Sequence, residues 1–149
     1  KEFTRPALPA IALTTDTSFL TAFTNDCGYE NVFARQIEAL GKDGDVLLGI
    51  STSGTSANVM RAMEQARRCS MHTIALTGQM QPLWGGIAAL ADVTIAVPSE
   101  NPQYIQEAHL AIEHILCHII ERNIYGEIYP ENSYLERGYT EQSPAPYPV

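Results

Sequence analysis

Apolar residues in this chain follow two rhythms. Short unbroken runs at Val46-Leu-Leu-Gly-Ile50, His72-Thr-Ile-Ala-Leu-Thr77 and Asp92-Val-Thr-Ile-Ala-Val-Pro98 are too short for helices and favour β structure, which suits strands of a buried parallel sheet. Between and after them, apolar positions recur at helical spacing: Val32, Phe33, Ile37 and Leu40, then Val59, Met60, Met63 and Ala66, then Ile105, Ala108, Ile112, Ile115 and Ile119 with Leu116 and Ile120 alongside. A further run, Ala10-Ile-Ala-Leu-Thr-Thr15, predicts a first strand just after Pro6 and Pro9. A short helix is expected over 19–23, closed by a turn at Asn25-Asp-Cys-Gly28, and a weak helix over 81–90. Strand and helix alternate, so the expected class is α/β with a parallel sheet and right-handed crossovers.

The pattern breaks most sharply after Ile50, where the apolar run gives way to Ser51-Thr-Ser-Gly-Thr-Ser56 before the next helix begins. Gly54 permits a tight turn, and Thr55 or Ser56 can cap the helix that follows. Hydroxyls and free backbone N–H groups then converge at the carboxyl end of a strand, where the helix dipole is positive. Such a loop reads either as a phosphate cradle or as a strand-to-helix turn rich in capping residues. Because no Lys or Arg sits beside it, a sugar phosphate suits it better than a triphosphate. The glycine-rich nucleotide-binding patterns Gly-x-x-x-x-Gly-Lys and Gly-x-Gly-x-x-Gly are both absent. Thr14 to Asp16 and Thr77 are expected at the same edge of the sheet, where ligands of open α/β sheets bind.

The chain has 149 residues, 45% of them hydrophobic, enough for one core. Its formal charge of −8 repels nucleic acid and anionic membrane alike, so neither is an expected partner. Cys27, Cys69 and Cys117 form no metal-ligand spacing, and their odd number fits a reducing, cytoplasmic setting. No stretch has the length of a membrane span. After Asn123 the composition turns to Tyr, Pro and Glu with few aliphatic residues, which reads as an extended tail over 125–149, either disordered or wrapped on a partner subunit.

The motifs Arg5-Pro-x-x-Pro-Ala-Ile-Ala-Leu, Asn25-Asp26, Gly44-Asp-Val-Leu-Leu-Gly-Ile-Ser-Thr-Ser-Gly-x-Ser-x-Asn-Val59, Ala75-Leu-Thr-Gly78 and Ile105-Gln-Glu-x-His109 with His114 resemble those of the sugar isomerase (SIS) domain family. Within it they are most similar to the sedoheptulose-7-phosphate isomerase branch. The likeness runs from about Arg5 to Glu121 and implies a doubly wound, three-layer parallel-sheet domain over 1–124. It also implies that Ser51, Thr52, Ser53 and Ser56 hold a substrate phosphate, that Asp26 helps orient the sugar, and that Gln106 and His114 face the reaction centre. Some family members bind zinc there, so Gln106 and His114 are also the expected metal ligands. As one amide and one imidazole they are too few alone, and the remaining ligands are expected upstream of this chain.

The implied reaction moves a proton between neighbouring carbons through an enediol, interconverting sedoheptulose 7-phosphate and D-glycero-D-manno-heptose 7-phosphate for heptose and lipopolysaccharide precursors. One of the acid–base pair would be His114. The other would be a glutamate on a preceding helix, and this chain starts beyond that helix and beyond the family's Asn-Gly-Gly-Ser loop, so an N-terminally incomplete domain is expected. Gln79 to Gly86 and the Tyr- and Pro-rich tail also depart from the family pattern. A homodimer or homotetramer is implied. His109 reads as a brace for the site or for a subunit contact, and Trp84 as packing. The alternative is a noncatalytic SIS module that binds a phosphosugar or a protein partner such as the replication initiator. Having His114 favours the enzyme, while lacking the upstream glutamate favours the module.

Overall fold

The computed structural model describes residues 6–79 and 85–126. Among these, α1 spans Thr17–Cys27 and α2 spans Val32–Leu40, the latter preceded by a 3-10 turn at Tyr29–Asn31. Then come β1 (Val46–Ser51), α3 (Ala57–Arg68), β2 (His72–Gly78), a 3-10 turn (Gly86–Ala89), β3 (Val93–Val97) and α4 (Pro102–Tyr125). The strands form one parallel sheet in the order β1-β2-β3, with Leu48 opposite Ile74 and Ile74 opposite Val93. This is an α/β fold in which a three-stranded parallel sheet is flanked by helices. The chain divides into two compact units, the larger being Leu8–Ile112; among described residues the smaller holds 6–7 and 113–126. In the smaller unit, Tyr125 is buried and its hydroxyl donates to the Pro6 carbonyl at 2.8 Å.

In the larger unit, α3 places its apolar stripe on one face of the sheet. Met63 packs with Ala75 of β2 and Ile87 of the second 3-10 turn, flanked by Leu47, Val59 and Met60. Ala62 and Ala66 pack with Ile37 of α2, flanked by Leu13, Phe33, Leu47 and Met71. Small residues on α3 let α2 approach closely. Alternation along β1 then points Val46, Leu48 and Ile50 to the opposite face, where they are 37–58% exposed. Leu76 sits beside Ile50 in the pairing register and is fully buried.

The first strand expected at 10–15 does not form. Ile11 is exposed, and Leu13 lies in a turn with its carbonyl held by the Gln36 side-chain amide at 3.0 Å. A strand needs a neighbour to take its backbone groups, and among the described residues none lies alongside this segment. Helix α1 runs longer than expected. It carries Asn25 to Cys27 in its last turn and ends at Gly28, whose φ of 84° is left-handed. The helix expected over 81–90 survives as the 3-10 turn at its described end, while Trp84 and the tail from 127 onward lie outside the described residues.

The start of β3 is clasped to β2 by side-chain chemistry. The Asp92 carboxylate accepts from the Thr73 backbone N–H at 2.7 Å and from its hydroxyl at 3.1 Å, while the Asp92 N–H donates to the Thr73 carbonyl at 3.0 Å. The backbone hydrogen bond, then the hydroxyl bond, with smaller help from His72 and Arg67, lower the Asp92 pKa below its ordinary value of 3.8. A carboxyl whose pKa is lower folded than unfolded stabilises the fold above the unfolded value and loses that contribution as pH falls through the folded one. Asp92→Asn is therefore expected to lower stability at neutral pH, and the gap to the unsubstituted chain should close below about pH 4, near the ordinary carboxylate pKa. Urea unfolding from pH 3 to 7 measures this.

Candidate functional site

At the carboxyl end of β1 the hydroxyls face one another. Ser51, the last residue of the strand, is buried, and its Oγ lies 2.9 Å from Ser56 Oγ and 3.4 Å from Ser53 Oγ. Ser51 Oγ also accepts from the Gly54 N–H at 3.1 Å, and Ser53 Oγ accepts from the Thr55 N–H and hydroxyl at 3.3 and 3.2 Å. Three of the four predicted phosphate-binding serines and threonines, Ser51, Ser53 and Ser56, thus form one cluster. Thr52 stands in the same loop, half-buried, and contributes its carbonyl to the Gly78 N–H at 3.1 Å.

Ser56 occupies the N-cap position of α3, yet its side chain makes no capping bond. A capping serine would normally turn its oxygen towards the second or third helical N–H; here it turns to Ser51. The N–H groups of Ala57 and Asn58 consequently have no acceptor among the described residues. Uncapped N–H groups and a positive helix end beside clustered hydroxyls are chemistry that suits an anion, here without a cationic side chain.

Two glycines give the loop its shape. Gly54 has φ of 68°, and a Cβ there would stand 2.8 Å from Thr77 Oγ1, so β2 presses against the turn. The Gly54 carbonyl accepts from the Ile87 N–H at 2.8 Å, which anchors the turn from the 3-10 segment. At Gly78, a Cβ would collide with Ile105 Cδ1 of α4 and stand 2.8 Å from the Thr52 carbonyl oxygen.

The other predicted residues are dispersed. Asp26 lies exposed in the last turn of α1, where its carboxylate accepts from the Asn25 amide at 2.9 Å; it makes no hydrogen bond to the hydroxyl loop. Gln106 and His114 are both exposed on α4. Among the described residues, no group of three or more His, Cys, Asp or Glu is gathered as a metal site. The donor set in hand, one amide oxygen and one imidazole, does not by itself fit zinc. A separate groove of about 370 Å³ is lined by residues that include Phe23, Asn31, Arg35, Arg61 and Arg68 and shares none with the hydroxyl loop. Its Arg35 is paired with Glu38 at 2.7 Å and its Arg61 with Asn31 and Glu30.

Sequence reasoning identified the hydroxyls but not the redirected Ser56 or the Ile87 anchor. The adjacent Gly85-Gly86 pair was the available signal for a close backbone approach at that anchor.

Comparison with known proteins decides the ancestry of this loop. Residues 1–78 match the SIS domain family. The chain belongs to that family. It is 52% identical over 122 residues to the phosphoheptose isomerase of Akkermansia muciniphila, covering 82% of this chain and 63% of the relative. It is 50% identical over 125 residues to that of Sulfurimonas denitrificans, covering 84% and 63%. Among solved structures, a phosphoheptose isomerase from Francisella tularensis superposes with a TM-score of 0.73 at 45% identity, over 79% of this chain and 62% of that one. One from Neisseria gonorrhoeae gives 0.70 at 49%, over 74% and 60%. This SIS chain is thus a homologue of phosphoheptose isomerases and spans somewhat less than two thirds of the length of these relatives. Among the described residues, no helix is long and apolar enough to cross a membrane.

Proposed function

We propose that this SIS chain belongs to a phosphosugar isomerase that interconverts sedoheptulose 7-phosphate and D-glycero-D-manno-heptose 7-phosphate. The observation that carries the reading is the cluster of Ser51, Ser53 and Ser56 hydroxyls beside the uncapped N–H groups of Ala57 and Asn58. Relatives about half identical to it are phosphoheptose isomerases, which supports a phosphorylated heptose as the class of sugar. Hydroxyls that now satisfy one another can redirect to phosphate oxygens, and the helix end supplies two further donors. Thr52 completes the loop, and Asp26 and Gln106 orient the sugar.

The chemistry needs no net oxidation. A base removes the proton from the carbon beside the carbonyl while an acid protonates the carbonyl oxygen; the resulting enediol then loses a hydroxyl proton and regains one at the neighbouring carbon. His114 fills one of these roles because an imidazole ring carries both a proton-accepting and a proton-donating nitrogen. The partner carboxylate belongs to a region that the relatives' greater length can supply. Zinc at Gln106 and His114 would need more ligands than the described residues offer. The noncatalytic alternative keeps the phosphate loop and dispenses with proton transfer.

Two experiments divide these statements. In Ser51→Ala/Ser53→Ala, each lost donor to a charged group removes about 1.5–3 kcal/mol, so calorimetry should find sedoheptulose 7-phosphate affinity reduced by about a hundredfold or more in a folded variant. Unchanged affinity contradicts the cradle. In a chain extended to the length of its relatives, His114→Asn should retain sugar-phosphate binding while isomerisation falls about 10²–10⁴-fold. If the extended parent binds the sugar phosphate but exchanges no carbon-bound proton with solvent, the noncatalytic module is the better account.

A further inference from the structure

His109 is a histidine to which the proposed reaction assigns no role, although it is 2% exposed. Its Nε2 lies 3.2 Å from the Thr77 carbonyl oxygen, at the carboxyl end of β2. A carbonyl oxygen only accepts, so Nε2 carries the proton and donates it. The other ring nitrogen, Nδ1, is buried and has no hydrogen-bond partner among the described residues. Among the described residues this histidine therefore makes a single hydrogen bond, as a donor, from a buried place.

The bond matters because of which peptide it grips. The Thr77 carbonyl and the Gly78 N–H belong to one peptide group, which is planar and points its two polar atoms in opposite directions. His109 holds the carbonyl end, and the N–H end donates to the Thr52 carbonyl at 3.1 Å. The same stretch of β2 presses Thr77 Oγ1 against Gly54, and Ile105, one helical turn before His109, packs where a Gly78 side chain would be. One rigid plane thus connects α4 to the backbone of the hydroxyl loop. Fixing the carbonyl fixes the tilt of the N–H, and hydrogen bonds in such a chain polarise one another.

We propose that His109 is a positioning residue for the phosphate loop, setting the place of Thr52 and Gly54 through the Thr77–Gly78 peptide. This inference rests on the phosphate-binding reading of the loop. A role of this kind requires one N–H at the reach of Nε2 and nothing from Nδ1. Glutamine can deliver such a donor, whereas leucine fills similar space without one, and asparagine is too short.

The test is calorimetric binding of sedoheptulose 7-phosphate to the full chain and to His109→Gln and His109→Leu. Each is normalised to its folded fraction by near-UV circular dichroism, and the Gly78 amide is followed by ¹⁵N NMR. His109→Leu is expected to bind about tenfold more weakly, the scale of one hydrogen bond, with a shifted Gly78 amide. His109→Gln should stay within about threefold of the parent on the same scale, with that amide restored. Where the leucine variant does not fold, His109→Asn replaces it with the same expectation. Parental affinity in a folded Leu or Asn variant overturns the proposal, as does a Gln variant as weak as Leu. A parent chain that binds no sugar phosphate overturns the phosphate reading, and this inference with it.

Discussion

Everything at the candidate site depends on how five residues turn the chain from β1 into α3 without capping the helix. A serine at the N-cap ordinarily contributes about 1 kcal/mol by closing on the first-turn N–H groups. Ser56 forgoes that bond and joins Ser51, so the helix end remains open. The arrangement holds because the turn is fixed from outside: Ile87 binds the Gly54 carbonyl, Gly78 binds the Thr52 carbonyl, and Thr77 closes against Gly54. The capping bond given up leaves clustered hydroxyls beside an open helix end.

That exchange also bears on how an acidic chain could hold the proposed phosphate. With a net charge of −8, long-range attraction is unavailable, and binding must come from short-range dipoles and hydroxyl donors. The arginines of the groove beside Phe23 are placed differently. Two of them, Arg35 and Arg61, meet carboxylates, and such exposed pairs contribute little to stability or to recruitment of a ligand.

Much of this architecture was legible in the residues. The apolar runs at Val46, His72 and Val93 read correctly as strands because they are short and β-favouring, although burial on both faces is not what the described residues show, since Val46, Leu48 and Ile50 line an exposed face. The stripe from Ile105 onward read as one long helix. Ala10 to Thr15 misled because its composition matches a strand, whereas forming one depends on a neighbour that composition does not report. Asp26 read as part of a turn, but Gly28 ends α1 two residues later. At the site, residue type located the hydroxyls, while the side to which Ser56 turns is a tertiary choice. His109 read as a brace for the site or for a subunit contact; the backbone carbonyl it meets leaves no mark in the sequence.

The central claim is that the hydroxyl loop and the open end of α3 receive a phosphate. Titration of the ¹⁵N-labelled chain with sedoheptulose 7-phosphate tests it most directly, since an amide that gains a charged acceptor moves downfield. The account predicts the largest saturable downfield shifts at Ala57 and Asn58, with smaller ones across residues 51–56. Shifts confined to the groove of Arg35, Arg61 and Arg68, with Ala57 and Asn58 unmoved at saturation, would contradict it.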